Sequence, residues 1–171
     1  AYDMAYEGFE LSEKLKIPIM MRITTRLAHS RSGIETRPLK QENNLKYPED
    51  PIQFVLLPSN ARKRYKGLLG LQSLMEQESE RSSFNTYYPA RNKSLGIIAC
   101  GIAFNYLMEN YPERKFPHPV LQLGQYPLPF SKVEKIVNEC EQVLVLEDGY
   151  PLVEEMLKGY LDKNSKIKGR L

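Results

Sequence analysis

The sequence of 171 residues has few of the side chains that most often bind cofactors or anchor a chain in a membrane. It has no tryptophan, only two cysteines and only two histidines, so we expect neither a disulfide scaffold nor a self-contained zinc or iron–sulfur site. Cys100 and Cys140 fall on apolar stretches and predict buried thiols without a catalytic role. No apolar run approaches the roughly 18 residues of a transmembrane helix, and no basic-then-apolar leader opens the chain. We expect a globular, cytoplasmic protein.

The charges are almost balanced, because 24 lysines and arginines oppose 21 aspartates and glutamates for a net charge of +3. This excess is too small to indicate a nucleic-acid partner. Hydrophobic residues make up 42% of the chain, which suffices for a packed core. Neither glycine-rich phosphate-binding motif, GxGxxG or GxxxxGK(S/T), occurs, so a self-contained nucleotide site is not expected.

The first third of the chain predicts a helix, a strand and a connector. Apolar residues at positions 2, 5, 6 and 9 follow helical spacing, and the pattern stops before Pro18. The run from Ile17 to Thr25 predicts a buried strand, and polar, turn-forming residues fill 29–51. A helix and a strand alone have no sheet to join, so we interpret this pair as the tail of a preceding α/β domain.

The rest of the chain predicts a regular α/β fold. A helix is expected over about 60–79, and three repeats of strand, glycine-containing turn and helix follow it. The predicted strands cover 95–100, 119–123 and 142–146, and the helices begin near residues 102, 131 and 151. This alternation implies a parallel sheet with helices on both faces. The basic end, 162–171, predicts an outgoing linker.

Turns at the carboxyl ends of the predicted strands form one candidate site. They contain Gly101, Gly124 and Gly149, and parallel sheets bind ligands outside these strand ends. The alternative is that each glycine only makes its turn tight. Glu147 and Asp148 precede a helix, where a carboxylate caps the helix or serves in acid–base chemistry, and capping is the favoured interpretation. A stand-alone α/β module that binds a small ligand at these turns is therefore one hypothesis.

A second candidate site groups cations, hydroxyls and an imidazole at the end of the predicted strand: Arg22, Thr24, Thr25, Arg26 and His29. Guanidinium and hydroxyl groups donate the hydrogen bonds that the carboxylate of an α-keto acid needs, and a nearby imidazole can move protons. The alternative is a solvated interdomain loop whose arginines pair with acidic neighbours. We treat these residues as candidates that face a substrate or cofactor, and we assign no catalytic residue and no metal ligand.

Five separated blocks, in order over nearly the whole chain, carry a family resemblance: MAYEGFELSEKLKIPIMMRITTRLAHSRSGIE, PSNARKRY, IIACGIAFNYLMEN, VLQLGQYPLPFSKVEKI and VLVLEDGYPLVEEMLKG. Together they resemble the alpha (large) subunit of indolepyruvate:ferredoxin oxidoreductase. The resemblance implies a thiamine-diphosphate-dependent enzyme that oxidatively decarboxylates aryl pyruvates to aryl-acetyl-CoA. Electrons would pass through 4Fe-4S clusters to ferredoxin, and the beta (small) subunit would be the partner.

The resemblance also implies a domain map. Residues 1–36 resemble the end of a pyrimidine-binding domain, 37–51 a linker, and 52–161 a transketolase C-terminal-like domain. The acidic residue that activates the cofactor, the magnesium-binding GDG-type motif and the cluster cysteines would all lie outside this sequence. We therefore expect thiamine diphosphate, Mg²⁺ and 4Fe-4S clusters in the full-length enzyme and none bound to this chain, which would be a structural and interface domain without activity alone.

Overall fold

A computed structural model describes residues 1–160 and 167–169 of the chain. It divides the chain into two compact units, Ala1–Gln72 and Ser73–Leu171. The first contains helix α1 (Tyr2–Leu15), the short helix α2 (Thr25–His29), a 3-10 turn (Pro51–Phe54) and helix α3 (Pro58–Gly70). Within the described residues, no helix is both long enough and apolar enough to cross a lipid bilayer.

Helix α1 confirms the helical spacing predicted at the start of the chain. It continues past Phe9 to Leu15, and Lys16 ends it in the left-handed conformation at a φ of 56°. An acidic stripe on α1 holds a later segment, because Arg37 contacts Asp3 at 2.8 Å and Lys40 contacts Glu10 at 2.9 Å. These pairs are largely exposed, so they add little to the free energy of unfolding.

The buried strand predicted from Ile17 to Thr25 is wrong. Residues 18–24 have no regular secondary structure, and α2 begins at Thr25. Met20 is 93% exposed, so the run is not part of a core. Pro18 lacks a backbone N–H, and an apolar run becomes a strand only where a neighbouring strand accepts its backbone hydrogen bonds; the part of the chain described here offers none.

The single helix predicted over 60–79 is two helices. α3 ends at Gly70, and α4 (Gln72–Arg81) begins one residue beyond Leu71. Gly67 and Gly70 each weaken a helix by up to about 1 kcal/mol relative to alanine. The boundary between the two compact units falls at the start of α4.

The second unit confirms the predicted α/β repeats. Strands β2 (Gly96–Cys100), β3 (Val120–Leu123) and β4 (Val143–Leu146) are parallel, and they alternate with helices α5 (Ile102–Asn110), α6 (Phe130–Glu139) and α7 (Leu152–Tyr160). Two short strands flank them, β1 (Tyr87–Tyr88) and β5 (Ile167–Lys168). The sheet order is β1-β3-β2-β4-β5, with β1 antiparallel to β3 and the other pairs parallel.

Helices cover both faces of this sheet, as predicted. Ile98, at the centre of β2, is fully buried with residues of α6 and α7, whereas its neighbours Ile97 and Ala99 face the other side with Phe104 of α5. This alternation follows the two-residue period of a strand. The linker predicted over 162–171 lies mostly outside the described residues, although Ile167–Lys168 pairs with β4.

One close approach fixes how α6 lies on β2. A Cβ atom added at Gly96 would lie 2.9 Å from the Cys140 Sγ and 2.9 Å from the Ile136 Cγ1. Cys140 is 1% exposed and belongs to the hydrophobic core. This confirms the prediction that its thiol is a small buried hydrophobe, and it shows why glycine begins the central strand.

Candidate functional site

The predicted turns share the carboxyl edge of the parallel sheet. The chain leaves β2 at Gly101, β3 at Gly124 and β4 at Glu147, and the paired registers keep these strand ends level. The helix after β2 covers one face of the sheet, and the helices after β3 and β4 cover the other. β2 is therefore the point where the winding reverses, which is where open α/β sheets form ligand crevices.

The turn after β4 is closed by a carboxylate. Glu147 accepts hydrogen bonds from the backbone N–H groups of Val153 at 2.8 Å and Glu154 at 3.0 Å, one on each oxygen. These N–H groups lie in the first turn of α7 and have no partner within the helix. The capping role predicted for the acidic pair is confirmed for Glu147, whereas Asp148 is exposed. Gly149 takes a φ of 91°, which glycine adopts without strain.

The turn after β3 is held by a buried asparagine. The Asn85 Oδ1 accepts from the backbone N–H groups of Gly124 at 2.9 Å and Gln125 at 3.0 Å. Its Nδ2 donates to the Gln125 carbonyl at 2.9 Å and to the Ser79 Oγ at 2.9 Å. Asn85 is fully buried, and both its side-chain oxygen and its side-chain nitrogen have hydrogen-bond partners. We call Ser79, Asn85 and Gln125 the asparagine clamp.

Helix α4 and the residue that follows it make further contacts with the turn after β3 and with the start of α6. The Ser82 Oγ donates to the Gln125 Oε1 at 2.7 Å, and the Glu80 Oε1 accepts from the backbone N–H of Ser131 at 2.6 Å. Glu80 thus caps α6 from another element, and it lines an open groove of about 310 Å³ between α4 and the start of α6. The sequence does not predict these roles, because no pattern near Asn85 indicates hydrogen bonds to residues about 40 positions away.

The turn after β2 carries a thiol that is not poised for nucleophilic chemistry. Burial, and after it the negative charge of Glu147, raises the pKa of the Cys100 thiol. A raised pKa keeps the thiol protonated at neutral pH, and the thiolate is the reactive species. Gly101, next in the chain, has a φ of 54° and leads directly into α5.

The cationic candidates lie in the first unit. Thr24 caps α2 by accepting a hydrogen bond from the Leu27 N–H at 3.3 Å, and α2 carries Thr25, Arg26 and His29. The structure thus gathers four of the five candidates into one short turn, with Arg22 on the irregular segment that precedes it. Apart from the half-buried Thr24, all of them are exposed. These side chains therefore lie at the surface of the first unit.

Comparison with known proteins finds one group of relatives. No protein-family profile matches the chain, and no solved structure matches it. The indolepyruvate oxidoreductase subunit IorA of Methanothermobacter thermautotrophicus is 31% identical over 174 residues, which cover 96% of the chain and 28% of the relative. The IorA proteins of Pyrococcus abyssi and Archaeoglobus fulgidus are 32% and 33% identical and cover 99% and 90% of the chain.

The alignments extend along almost the whole chain but along little of each relative. The chain spans 28% of the P. abyssi protein and 25% of the A. fulgidus protein. The blocks that carried the resemblance are distributed over both units of the structure. The chain is therefore homologous, over nearly its whole length, to the indolepyruvate oxidoreductase subunit IorA.

Proposed function

We propose that this chain acts as part of an indolepyruvate:ferredoxin oxidoreductase that oxidatively decarboxylates aryl pyruvates to aryl-acetyl-CoA. The observation that carries the proposal is the homology, because 96% of the chain aligns with an IorA subunit at 31% identity. The partners of the assembled enzyme would be the beta (small) subunit and ferredoxin, with CoA and the aryl pyruvate as substrates. The enzyme would work in the cytoplasm.

Within that enzyme we assign this segment a structural and interface role. Residues 52–161 would form a transketolase C-terminal-like domain, an assignment supported by the three strand–helix repeats of the second unit. Residues 1–36 would be the tail of the pyrimidine-binding domain, with 37–51 and 162–171 as linkers. The first unit supports this role by its exposed apolar side chains, which are typical of a surface that another polypeptide covers.

The residues present do not fit the cofactors of such an enzyme. A 4Fe-4S cluster takes four cysteine thiolates, whereas the whole sequence has two. Among the described residues, no group of three or more histidine, cysteine, aspartate or glutamate side chains converges to hold a metal ion. We therefore place thiamine diphosphate, Mg²⁺ and the clusters on other parts of the enzyme and propose that the chain has no activity alone.

The cationic residues of the first unit are the ones we propose to face the cofactor or substrate. Arg22 and Arg26 would bind the substrate carboxylate, Thr24 and Thr25 would supply hydroxyl donors, and His29 would lie near the reacting groups. Exposure of these side chains and their gathering around α2 support the assignment. Arginine suits this role because its planar guanidinium binds a carboxylate through two parallel hydrogen bonds.

Titration calorimetry with thiamine diphosphate and Mg²⁺ tests the proposed division of labour. We expect binding heat from full-length M. thermautotrophicus IorA and none from the 171-residue chain. Binding to the chain itself would contradict the domain map and would direct attention to the turns at the carboxyl edge of the sheet or to the segment around α2.

A chimeric subunit tests whether the segment belongs in the enzyme. This chain would replace the matched segment of M. thermautotrophicus IorA, and indolepyruvate-dependent dye reduction would be measured in the assembled enzyme. We expect activity to survive the exchange and to disappear when an unrelated α/β domain of similar length is inserted. Equal activity of the two chimeras would contradict a specific interface role.

The active chimera also tests the proposed role of Arg22. Arg22→Ala should raise the KM for indolepyruvate by about tenfold, because the substrate carboxylate would lose its guanidinium partner.

A further inference from the structure

Helix α3 concentrates positive charge on an otherwise nearly neutral chain. Arg62, Lys63, Arg64 and Lys66 fall within five consecutive positions, and the helix contains no aspartate or glutamate. The net charge of the whole sequence is only +3, so this one helix carries a local excess larger than that of the entire chain. A local field of this kind attracts an oppositely charged surface.

The same helix carries an apolar stripe. Ala61, Tyr65, Leu68 and Leu69 follow the spacing i, i+4, i+7, i+8 and so lie along one face. Tyr65 is 60% exposed and Leu69 is 57% exposed. Helical geometry places Arg62 and Lys66 along one border of this stripe and Arg64 along the other. The helix therefore presents an apolar centre with a cationic rim.

The segment before α3 extends this apolar centre. Phe54 and Leu56 are 74% and 92% exposed, and two contacts tie the segment to the helix. The Asn60 Nδ2 donates to the Val55 carbonyl at 3.1 Å, and Arg64 lies 3.7 Å from Asp50. Residues 50–70 thus form one continuous surface, which we call the basic–apolar surface.

Within the first unit, no described residue covers this surface. Every residue of α3 is exposed except Asn60, which is half-buried. An isolated helix of 13 residues with two glycines is marginal in water, so the stability of α3 depends on contacts outside the helix. An exposed apolar patch with a polar rim is typical of an interaction site.

We propose that the basic–apolar surface docks a protein whose contact face is an apolar groove bordered by carboxylates. Charge complementarity selects this occupant, because the cationic rim disfavours a second copy of the same surface. An apolar centre also has no counterpart on a phosphate backbone.

A designed peptide provides the first test. The probe is a labelled amphipathic helix with leucines on one face and glutamates on both borders, and its match carries lysines in place of the glutamates. Fluorescence anisotropy with the full 171-residue chain should show saturable binding of the glutamate peptide only. The double variant R62E/K66E should weaken this binding by at least about tenfold, and so should L68S/L69S.

The control variant is R91E/K115E, which reverses two exposed cations of the second unit and should leave the affinity unchanged. Circular dichroism should show that all variants keep the α/β fold, since no substituted side chain is buried. No binding of the glutamate peptide, or equal binding of the lysine peptide, would overturn the proposal. So would preferential capture of the chain by phosphatidylserine vesicles or duplex DNA with the same dependence on Arg62 and Lys66. None of these readouts depends on oxidoreductase activity.

Discussion

The two compact units solve the problem of stability differently. In Ala1–Gln72, Leu15 is the only buried residue among those described, whereas all the other buried hydrophobic side chains of the described chain belong to Ser73–Leu171. The second unit is held by a two-sided core around its sheet. The first unit has local helical hydrogen bonds and exposed ion pairs such as Arg37 with Asp3, and these ion pairs add little stability. The second unit therefore has a buried core, whereas the first unit exposes most of its apolar side chains.

The largest effect is expected when a buried side chain of the second unit is truncated. Ile98 is fully buried at the centre of β2, so Ile98→Ala should lower the free energy of unfolding by about 3–4 kcal/mol. Urea denaturation followed by circular dichroism would measure it. Met20→Ala, at a side chain that is 93% exposed, is the matched control and should change stability by less than about 0.5 kcal/mol. A similar loss in both variants would contradict the proposed division.

Removing the asparagine clamp should be the next largest effect. Asn85→Ala deprives the N–H groups of Gly124 and Gln125 of their acceptor in a buried site, so we expect a loss of about 2–3 kcal/mol. Thermal unfolding would detect it. The exposed Asn138→Ala on α6 serves as the control and should leave the melting temperature within error. Asn85→Asp keeps one acceptor but places a second oxygen against the Gln125 carbonyl in a fully buried site, so we expect a loss at least as large as that of Asn85→Ala.

Gly96 and Gly67 differ in the space around an added Cβ atom, which is filled at Gly96 and open at Gly67. Gly96→Ala would bring its Cβ to 2.9 Å from the Cys140 Sγ, and we expect a loss of about 1–3 kcal/mol from overpacking. Cys140→Ala in the same chain should recover part of this loss in a double-mutant cycle. Gly67→Ala on α3, where no atom lies within 4 Å of an added Cβ, should raise helicity instead. Destabilisation by both substitutions would contradict the assignment.

The smallest effect should come from an ion pair at the surface of the second unit. Glu139 contacts Lys93 and accepts from the Tyr87 hydroxyl at 2.8 Å, and first Lys93, then Tyr87, lower the pKa of its carboxyl. Because the folded pKa lies below the ordinary value of 4.5, this contribution is complete above that value and is lost as the pH falls through the folded pKa. The wild type and Glu139→Gln should differ by less than about 1 kcal/mol at pH 7 and converge once the pH falls below the folded pKa.

The local sequence pattern correctly predicted the three strand–helix repeats. Strands that are buried on both faces consist of apolar runs, and each helix begins after a glycine-containing turn. The pattern was also enough for the capping by Glu147, since a carboxylate before a helix start has few other roles. The same pattern misled at 17–25, where an apolar run exists without a neighbouring strand. It could not reveal the asparagine clamp, since the partners of Asn85 in the turn after β3 lie about 40 residues away. Two-residue β1 is too short for any periodicity to indicate it.

The carboxylate of Glu147 has a consequence for the kinds of molecule that the sheet edge can receive. The first N–H groups of a helix commonly bind phosphate groups. In α7, two of these N–H groups already donate hydrogen bonds to the Glu147 carboxylate. A tethered competitor acts at a high effective concentration, so an incoming phosphate ester would have to displace it while meeting its negative charge. Glu147 therefore disfavours the binding of a phosphate group at the start of α7.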